Sequence, residues 1–267
     1  MRFLALTLAL FALPATAHEL WLEPKDFQPG PEGNLVTDIV NGEEFAGTRL
    51  AYLPQRFAHF LTFYNGQAAP VISRLGDQPA MDMAALGDGL HVVVYQARNS
   101  TVNYENWAKF QRFVDHKGFG DILAQHQARG LPEADFDEVY SRYSKSLIGV
   151  GSGAGADLRT GLTTELVALS NPYTDPVAET GMRLKLYYNR APRTQAQVEI
   201  YAKAPDGSVS QSFYTTDDAG EVTIPVEPGH IYMADAVVLR EPEAQLAADT
   251  GAVWETLWAN LTWAVPD

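Results

Sequence analysis

The sequence predicts a mainly β protein made of two antiparallel β-sandwich domains with a three-helix insertion between them. Short runs rich in β-branched and aromatic residues, separated by turn signals, occupy both ends of the chain. In the middle, the apolar residues change to helical spacing. The 267 residues include no cysteine, so both cores have to form without disulfides. A chain of this length is long enough to bury such cores.

The first seventeen residues have the organisation of a signal peptide. Arg2 supplies the positive charge, residues 3–13 are apolar apart from one threonine, and Ala-Thr-Ala at 15–17 matches the small-x-small cleavage pattern. Cleavage after Ala17 makes His18 the first residue of the mature protein. No later stretch reaches about 18 uninterrupted apolar residues. We therefore expect a periplasmic protein without membrane insertion.

The N-terminal sandwich is predicted over residues 18–100. Asn-Gly pairs at 41–42 and 65–66 are strong turn signals between β-type runs. The predicted strands are residues 20–22, 35–40, 50–53, 60–64, 71–75 and 90–97.

The helical insertion and a connector are predicted over residues 101–160. Trp107, Phe110 and Val114 share one helix face, and Ile122 and Leu123 begin a second apolar patch. Helix spacing also predicts a third helix, from Phe136, Val139, Tyr140, Tyr143 and Leu147. The glycine-rich passage at 149–155 lacks the lysine and Ser/Thr of a phosphate loop, so it is interpreted as a flexible connector.

The C-terminal sandwich is predicted over residues 161–267. Turn residues such as Pro-Asp-Gly at 205–207 separate six or seven strands at regular spacing, which is typical of an immunoglobulin-like sandwich. The predicted strands are residues 182–188, 196–202, 210–216, 221–226, 231–239 and 257–265.

Composition limits the possible functions. The formal net charge of −14 argues against nucleic acid and anionic membrane surfaces as partners. The absence of cysteine excludes thiolate metal sites, iron-sulfur clusters and cysteine nucleophiles, so any metal has to be bound by nitrogen and oxygen. The chain has no Gly-x-Ser-x-Gly elbow, no His-Glu-x-x-His and no dinucleotide fingerprint, and we do not expect an enzyme.

The predicted mature amino terminus is a metal chelate. The free α-amine and the near ring nitrogen of His18 can bind one ion together, which an internal histidine cannot do in the same way. Neutral nitrogen ligands suit Ni(II), Co(II), Cu(II) and Zn(II), and the intrinsic affinity order favours copper. We therefore expect a divalent transition metal as the cofactor.

Three further residues are candidate metal ligands beside His18. His91 lies in a strand with two apolar faces, so it is either a buried, hydrogen-bonded histidine or a ligand. Asp235 alternates with apolar residues, and its burial requires either a salt bridge to an arginine or a metal. Glu255, just before the last strand, is either a ligand or a hydrogen-bonded edge residue.

Two resemblances extend this interpretation. The segments VEIY at 198–201, TDDAG at 216–220 and PGHIY at 228–232 resemble prealbumin-like and carboxypeptidase-regulatory β modules, which are usually binding or structural units. The segments HELWLEP at 18–24, YSRYSKSL at 140–147, TELV at 164–167, NPY at 171–173 and WETLWANLT at 254–262 resemble the exported family called domain of unknown function 4198. Some relatives are described as periplasmic components of nickel or cobalt uptake.

The resemblance to this family implies a metal-delivery role. The sequence thus predicts a periplasmic protein of nickel, cobalt or other divalent-metal acquisition, which delivers its ion to a membrane metal transporter or an outer-membrane receptor. Two other functions stay open. A copper enzyme with a histidine brace needs a second histidine beside His18 at an open site. A structural β module binds a partner protein or a glycan, and its His18 lies far from other ligands.

Overall fold

The computed structural model describes residues 18–267 and confirms the mainly β fold. The predicted signal peptide at 1–17 lies outside the described residues. In the described chain the strands are β1 (Glu19–Pro24), β2 (Asn34–Glu43), β3 (Ala46–Leu50), β4 (Phe57–Tyr64), β5 (Gln67–Pro70), β6 (Met81–Ala84), β7 (Gly89–Ala97), β8 (Ser100–Tyr104), β9 (Phe136–Val150), β10 (Thr164–Ala168), β11 (Met182–Tyr188), β12 (Ala191–Pro192), β13 (Gln197–Lys203), β14 (Val209–Thr215), β15 (Glu221–Ile224), β16 (Ile231–Arg240) and β17 (Trp254–Ala264). The helices are α1 (Trp107–His116), α2 (Ile122–Ala128), α3 (Val177–Thr180) and α4 (Ala244–Thr250).

A nine-stranded sheet forms the centre of the molecule. Its order is β14-β13-β16-β17-β9-β7-β4-β5, and β8 also pairs with β9. The β17–β9 pair is parallel, whereas the other pairs in this sheet are antiparallel. Strands from both predicted sandwiches therefore hydrogen-bond in one continuous sheet, joined through β9.

Two smaller sheets cover opposite faces of the central sheet. Successive strand residues point to opposite faces, and β7 shows this directly. Val92 and Val94 pack in the core beneath the sheet of β10, β11, β12 and β15. Val93 and Tyr95 pack in the core beneath the sheet of β1, β2, β3 and β6. The fold is thus a three-layer arrangement of two sandwiches that share their middle sheet.

The third helix predicted from Phe136 to Leu147 is wrong, because these residues form the central strand β9. The polar residues between the apolar ones looked solvent-facing in a helix, yet Ser144 and Lys145 are buried in the strand. Ser144 donates to the carbonyl of Leu20 at 2.7 Å. Because β9 is covered on both faces, its polar side chains are satisfied inside the protein and no period of two appears.

The strands predicted at 50–53 and 71–75 are also wrong. Strand β3 ends at Leu50, and residues 51–53 lie in a loop. Val71 is buried just after β5, but Ile72 and Leu75 are 75% and 72% exposed and lie in a loop. These two apolar residues favoured a strand in the sequence, although they make no contribution to the core.

The first two predicted helices are confirmed and pack beside the N-terminal small sheet. Phe110 and Phe113 of α1 pack with Trp254 and Trp258 of β17. Trp21 of β1 belongs to a separate small core. These two apolar clusters leave a polar stretch of the central sheet between them. None of the helices in residues 18–267 is long and apolar enough to cross a membrane.

Candidate functional site

A cavity of about 610 Å³ opens over this polar stretch, between the start of β1 and helix α1. A volume of this size is typical of a small-ligand site. Its acidic lining includes Glu19, Glu43, Glu44 and Asp115. Its basic and aromatic lining includes Lys109, Arg112, Arg142, Tyr140 and Trp258. The chain thus places its predicted mature amino terminus beside a concentration of charged groups.

His18 lies at the rim of this cavity because of the register of β1. Glu19 pairs with Gly42 in the antiparallel sheet, so His18 lies opposite Glu43. Its Nε2 is 3.9 Å from Glu43 Oε1, and the two side chains are 56% and 38% exposed. Arg142 Nη2 donates to the His18 carbonyl at 2.6 Å, which anchors the backbone at this point.

The spacing of His18 and Glu43 suits two ligands of one ion. Nitrogen and carboxylate oxygen bind Zn(II)-type ions at about 2.0–2.2 Å, so two ligand atoms are at most roughly 4.3 Å apart. The 3.9 Å between Nε2 and Oε1 falls within this limit. Chelation together with the α-amine uses Nδ1 instead, which requires rotation of the half-exposed ring.

Three buried carboxylates surround one ammonium group below the rim. Lys117 Nζ lies 3.1 Å from Glu19 Oε1, 2.5 Å from Glu199 Oε2 and 3.1 Å from Asp235 Oδ2. The ligand-type oxygens of the three acids lie within 4.8 Å of one another. Lys117 also lies 4.8 Å from the centre of the Trp258 ring. We call Glu19, Glu199, Asp235 and Lys117 the carboxylate cluster.

Glu199 is the fully hydrogen-bonded member of the carboxylate cluster. Its Oε1 accepts from His116 Nε2 at 2.8 Å, from the Tyr201 hydroxyl at 2.8 Å and from Gln211. Burial alone raises the pKa of a carboxyl, but these donors and Lys117 outweigh it and lower the pKa of Glu199 to about 2. Glu199 therefore stays ionised at neutral pH.

The other two acids are less well satisfied. Burial raises the pKa of Glu19 to about 7 despite the nearby Lys117 ammonium, and burial also raises the pKa of Asp235. In contrast, the three carboxylates outweigh the effect of burial on Lys117 and raise its pKa. Within residues 18–267, Glu19 Oε2 is buried and accepts no hydrogen bond, whereas the side-chain amide of Asn260 supports Asp235 and offsets part of the effect of burial on its pKa.

The structure brings one of the three predicted partner ligands near His18. Asp235 belongs to the carboxylate cluster with Glu19, the neighbour of His18, and its buried charge is paired with Lys117 rather than with an arginine. His91 is fully buried and lies elsewhere: its Nε2 accepts from Leu86 N at 3.1 Å and its Nδ1 is 3.1 Å from the Gly89 carbonyl. Backbone groups thus occupy both of its ring nitrogens.

Glu255 does not line the cavity either. Its Oε2 accepts from Arg240 Nε at 2.7 Å, and Arg240 also donates to the Tyr188 hydroxyl at 3.0 Å. The residue is 5% exposed, so this pairing satisfies a buried charge. Of the two interpretations of Glu255, a metal ligand or a hydrogen-bonded residue, the structure shows the hydrogen-bonded residue.

Four residues of the site were missed from the sequence: Glu19, Glu43, Lys117 and Glu199. Glu19 and Glu43 had a usable signal, because antiparallel pairing of the first two strands places them beside His18. Lys117 follows helix α1 and precedes a glycine, where a lysine usually faces solvent. Glu199 shares its strand face with polar and aromatic neighbours, so its sequence context resembles that of an ordinary exposed strand residue.

A second acid with a raised pKa lines the cavity. Glu138 of β9 is buried, and it accepts from the Tyr104 hydroxyl at 2.9 Å and from the Thr256 hydroxyl. Burial raises the pKa of Glu138 to about 7, because these two hydroxyl donors offset only part of the lost hydration. Acids with raised pKa values in a cavity are a common mark of a functional site.

The chain is therefore a β-sandwich protein with a cavity lined by acidic and basic side chains at the start of its first strand. It belongs to the family described as domain of unknown function (DUF4198), whose sequence profile matches residues 15–240. No curated protein matches the chain. One solved structure with some likeness is a tetra-tandem repeat in the extending region of a large adhesion protein, with 11% identity and a TM-score of 0.20. That likeness covers 92% of this chain, which spans about half (49%) of the other.

Proposed function

We propose that the chain is an exported, periplasmic metal-binding protein whose mature form begins at His18 and that takes part in the acquisition of nickel, cobalt or another divalent transition metal. The ligands are the α-amine and Nδ1 of His18 and the carboxylate of Glu43. The ion then passes to a membrane metal transporter or an outer-membrane receptor.

One observation carries this proposal: the pairing of β1 with β2 places His18 beside Glu43 at the rim of the cavity, where the half-exposed ring has only to rotate to bring Nδ1 into use. The Arg142 contact holds the His18 backbone in place, so ordering the chelate costs little entropy. The formal net charge of −14 gives the whole chain a negative field that attracts cations. His116 also lines the cavity, but its Nε2 donates to Glu199, so an ion at that nitrogen has to displace the carboxylate.

The proposal is tested by calorimetric titration of four proteins with Ni(II), Co(II), Cu(II) and Zn(II). The first begins at His18 and the second carries one alanine before His18. The third carries E43Q and the fourth carries H59A, a matched control in an exposed histidine of β4. We expect the first and fourth to bind one ion alike, and the added alanine and E43Q to weaken binding at least about tenfold, because each removes a ligand. Equal affinity of the alanine-extended protein would contradict the proposal.

A further inference from the structure

The carboxylate cluster differs from the other buried lysine site of this chain. Lys145 Nζ lies 2.8 Å from Asp157 Oδ1 and 3.2 Å from Glu165 Oε1, and it donates to the Leu158 carbonyl at 3.0 Å. Backbone amides complete that site: Asp157 accepts from Ala168 N and Leu158 N. Two carboxylates thus share one lysine and additional donors. This arrangement is complete as it stands.

The carboxylate cluster, in contrast, holds three carboxyl groups around its one lysine, and His116 reaches only Glu199. Within the described chain Glu19 Oε2 accepts no hydrogen bond, and besides the lysine it is the side-chain amide of Asn260 that supports Asp235. Glu19 and Asp235 are at least nine-tenths buried, at 3% and 2% exposed. A buried carboxylate oxygen without a donor is costly, and either a proton or a second cation relieves that cost.

A further buried polar residue lies beside these acids. Asn260 pairs directly with Asp235 across the antiparallel β16–β17 ladder, so the two side chains share a face. Asn260 is 2% exposed, and its Oδ1 makes no hydrogen bond within residues 18–267. Its side-chain amide supports the Asp235 carboxylate and offsets part of the rise that burial causes in the pKa of Asp235. An amide oxygen is a ligand of the same chemical type as the carboxylates.

We propose that the acids of the carboxylate cluster form an inner binding site for a hard divalent cation. Without that cation, the ammonium of Lys117 takes its place. The donors are oxygens from Glu19, Glu199, Asp235 and Asn260, the set that Ca²⁺ and Mn²⁺ prefer over nitrogen-seeking ions. The ligand-type oxygens of the three acids lie within 4.8 Å of one another, which suits Ca²⁺, whose oxygen ligands lie at about 2.3–2.6 Å. This site goes beyond the proposed chelate at His18, because it uses none of its ligands.

Binding at the inner site requires the Lys117 ammonium to leave. Lys117 lines the 610 Å³ cavity, so its flexible side chain has space to enter without moving the backbone. The same cavity is lined by the carboxylates of Glu44 and Asp115, which offer new partners for the ammonium. Cation binding is thus an exchange of one positive group for another, in which Lys117 becomes accessible from the cavity.

The test uses a protein with H18A and E43Q, from which the proposed outer chelate has been removed. We expect calorimetry to show one equivalent of Ca²⁺ or Mn²⁺ bound, at least tenfold weaker binding when D235N is added, and no comparable Ni²⁺ binding. No binding of Ca²⁺ or Mn²⁺, or unchanged binding with D235N, would overturn the inner site. Binding of Ni²⁺ alone would overturn the assignment to hard cations. None of these results bears on the chelate at His18.

The exchange itself is tested in the unmodified protein by acetylation of lysines, followed by mass spectrometry of peptides. Saturating Ca²⁺ is expected to increase the labelling of Lys117 several-fold and to leave the fully buried Lys145 unlabelled. A K117M protein is expected to bind Ca²⁺ at least tenfold more tightly, whereas K185M, at a partly exposed lysine, is not. Unchanged labelling of Lys117 at saturation would overturn the exchange, even if K117M fails to fold.

Discussion

Replacing Lys145 with methionine is expected to lower the free energy of unfolding by about 3–5 kcal/mol. Lys145 is 1% exposed, and its ammonium pairs with Asp157 and Glu165 inside the molecule. Methionine fills a similar volume but leaves two buried carboxylates without their cation. Burial raises the pKa of Asp157, whereas Lys145 lowers it, so loss of the lysine makes the charged form still less favourable.

Urea unfolding measures this effect, with K185M as the matched control. Lys185 pairs with Glu221 at 3.1 Å, but both side chains are partly exposed at 19% and 28%. A pair that water can reach contributes about 0–1 kcal/mol, so K185M should have little effect. If K145M lowered the free energy of unfolding as little as K185M does, this result would show that water, and not Lys145, satisfies the two acids.

The substitution E138Q is expected to raise the free energy of unfolding at pH 8 by about 3 kcal/mol, with no such gain at pH 4. The pKa of Glu138 is raised by burial from 4.5 to about 7, so the folded protein holds a proton that the unfolded chain loses first. The contribution of Glu138 to stability is therefore full below pH 4.5 and is lost as the pH rises to about 7. Glutamine resembles the protonated acid and has no proton to lose, so its contribution to stability does not fall as the pH rises.

Denaturant unfolding of both proteins between pH 4 and pH 9 tests this prediction. Glu19 titrates in the same range, because its pKa is also raised to about 7, so the difference between E138Q and the parent protein isolates Glu138. E32Q, in an exposed loop, is the control and should follow the parent at every pH. A constant difference between E138Q and the parent across the range would contradict a raised pKa.

Much of the fold follows from local patterns in the sequence. Most of the long strands at both ends and helices α1 and α2 were predicted, because alternation and helical spacing survive where one face meets solvent or a single core. The short strands β3, β6, β8 and β10 were not predicted. Strand β9 was missed for a physical reason: it is covered on both faces, and Ser144, Ser146 and Lys145 are satisfied by internal partners. The polar residues of β9 therefore do not indicate which side faces solvent. The spacing of Phe136 and Val139 then matches that of a helix.

The site was predicted only in part, since it is assembled from distant segments. The alternation around Asp235 correctly indicated a buried carboxylate that needs a cation. The cation is Lys117, 118 positions away, and nothing local to either residue indicates the pairing. His18 was singled out by its position behind the cleavage pattern, while Glu43 lies beside it only because β1 and β2 pair in one register.

Anomalous X-ray diffraction from crystals of the protein that begins at His18, soaked with Co(II), tests the proposed metal site most directly. We predict an anomalous peak about 2.0–2.2 Å from the α-amine, from a ring nitrogen of His18 and from a carboxylate oxygen of Glu43. Crystals of the alanine-extended protein should lack this peak. Cobalt bound only at other residues, such as the exposed His59, would contradict the account.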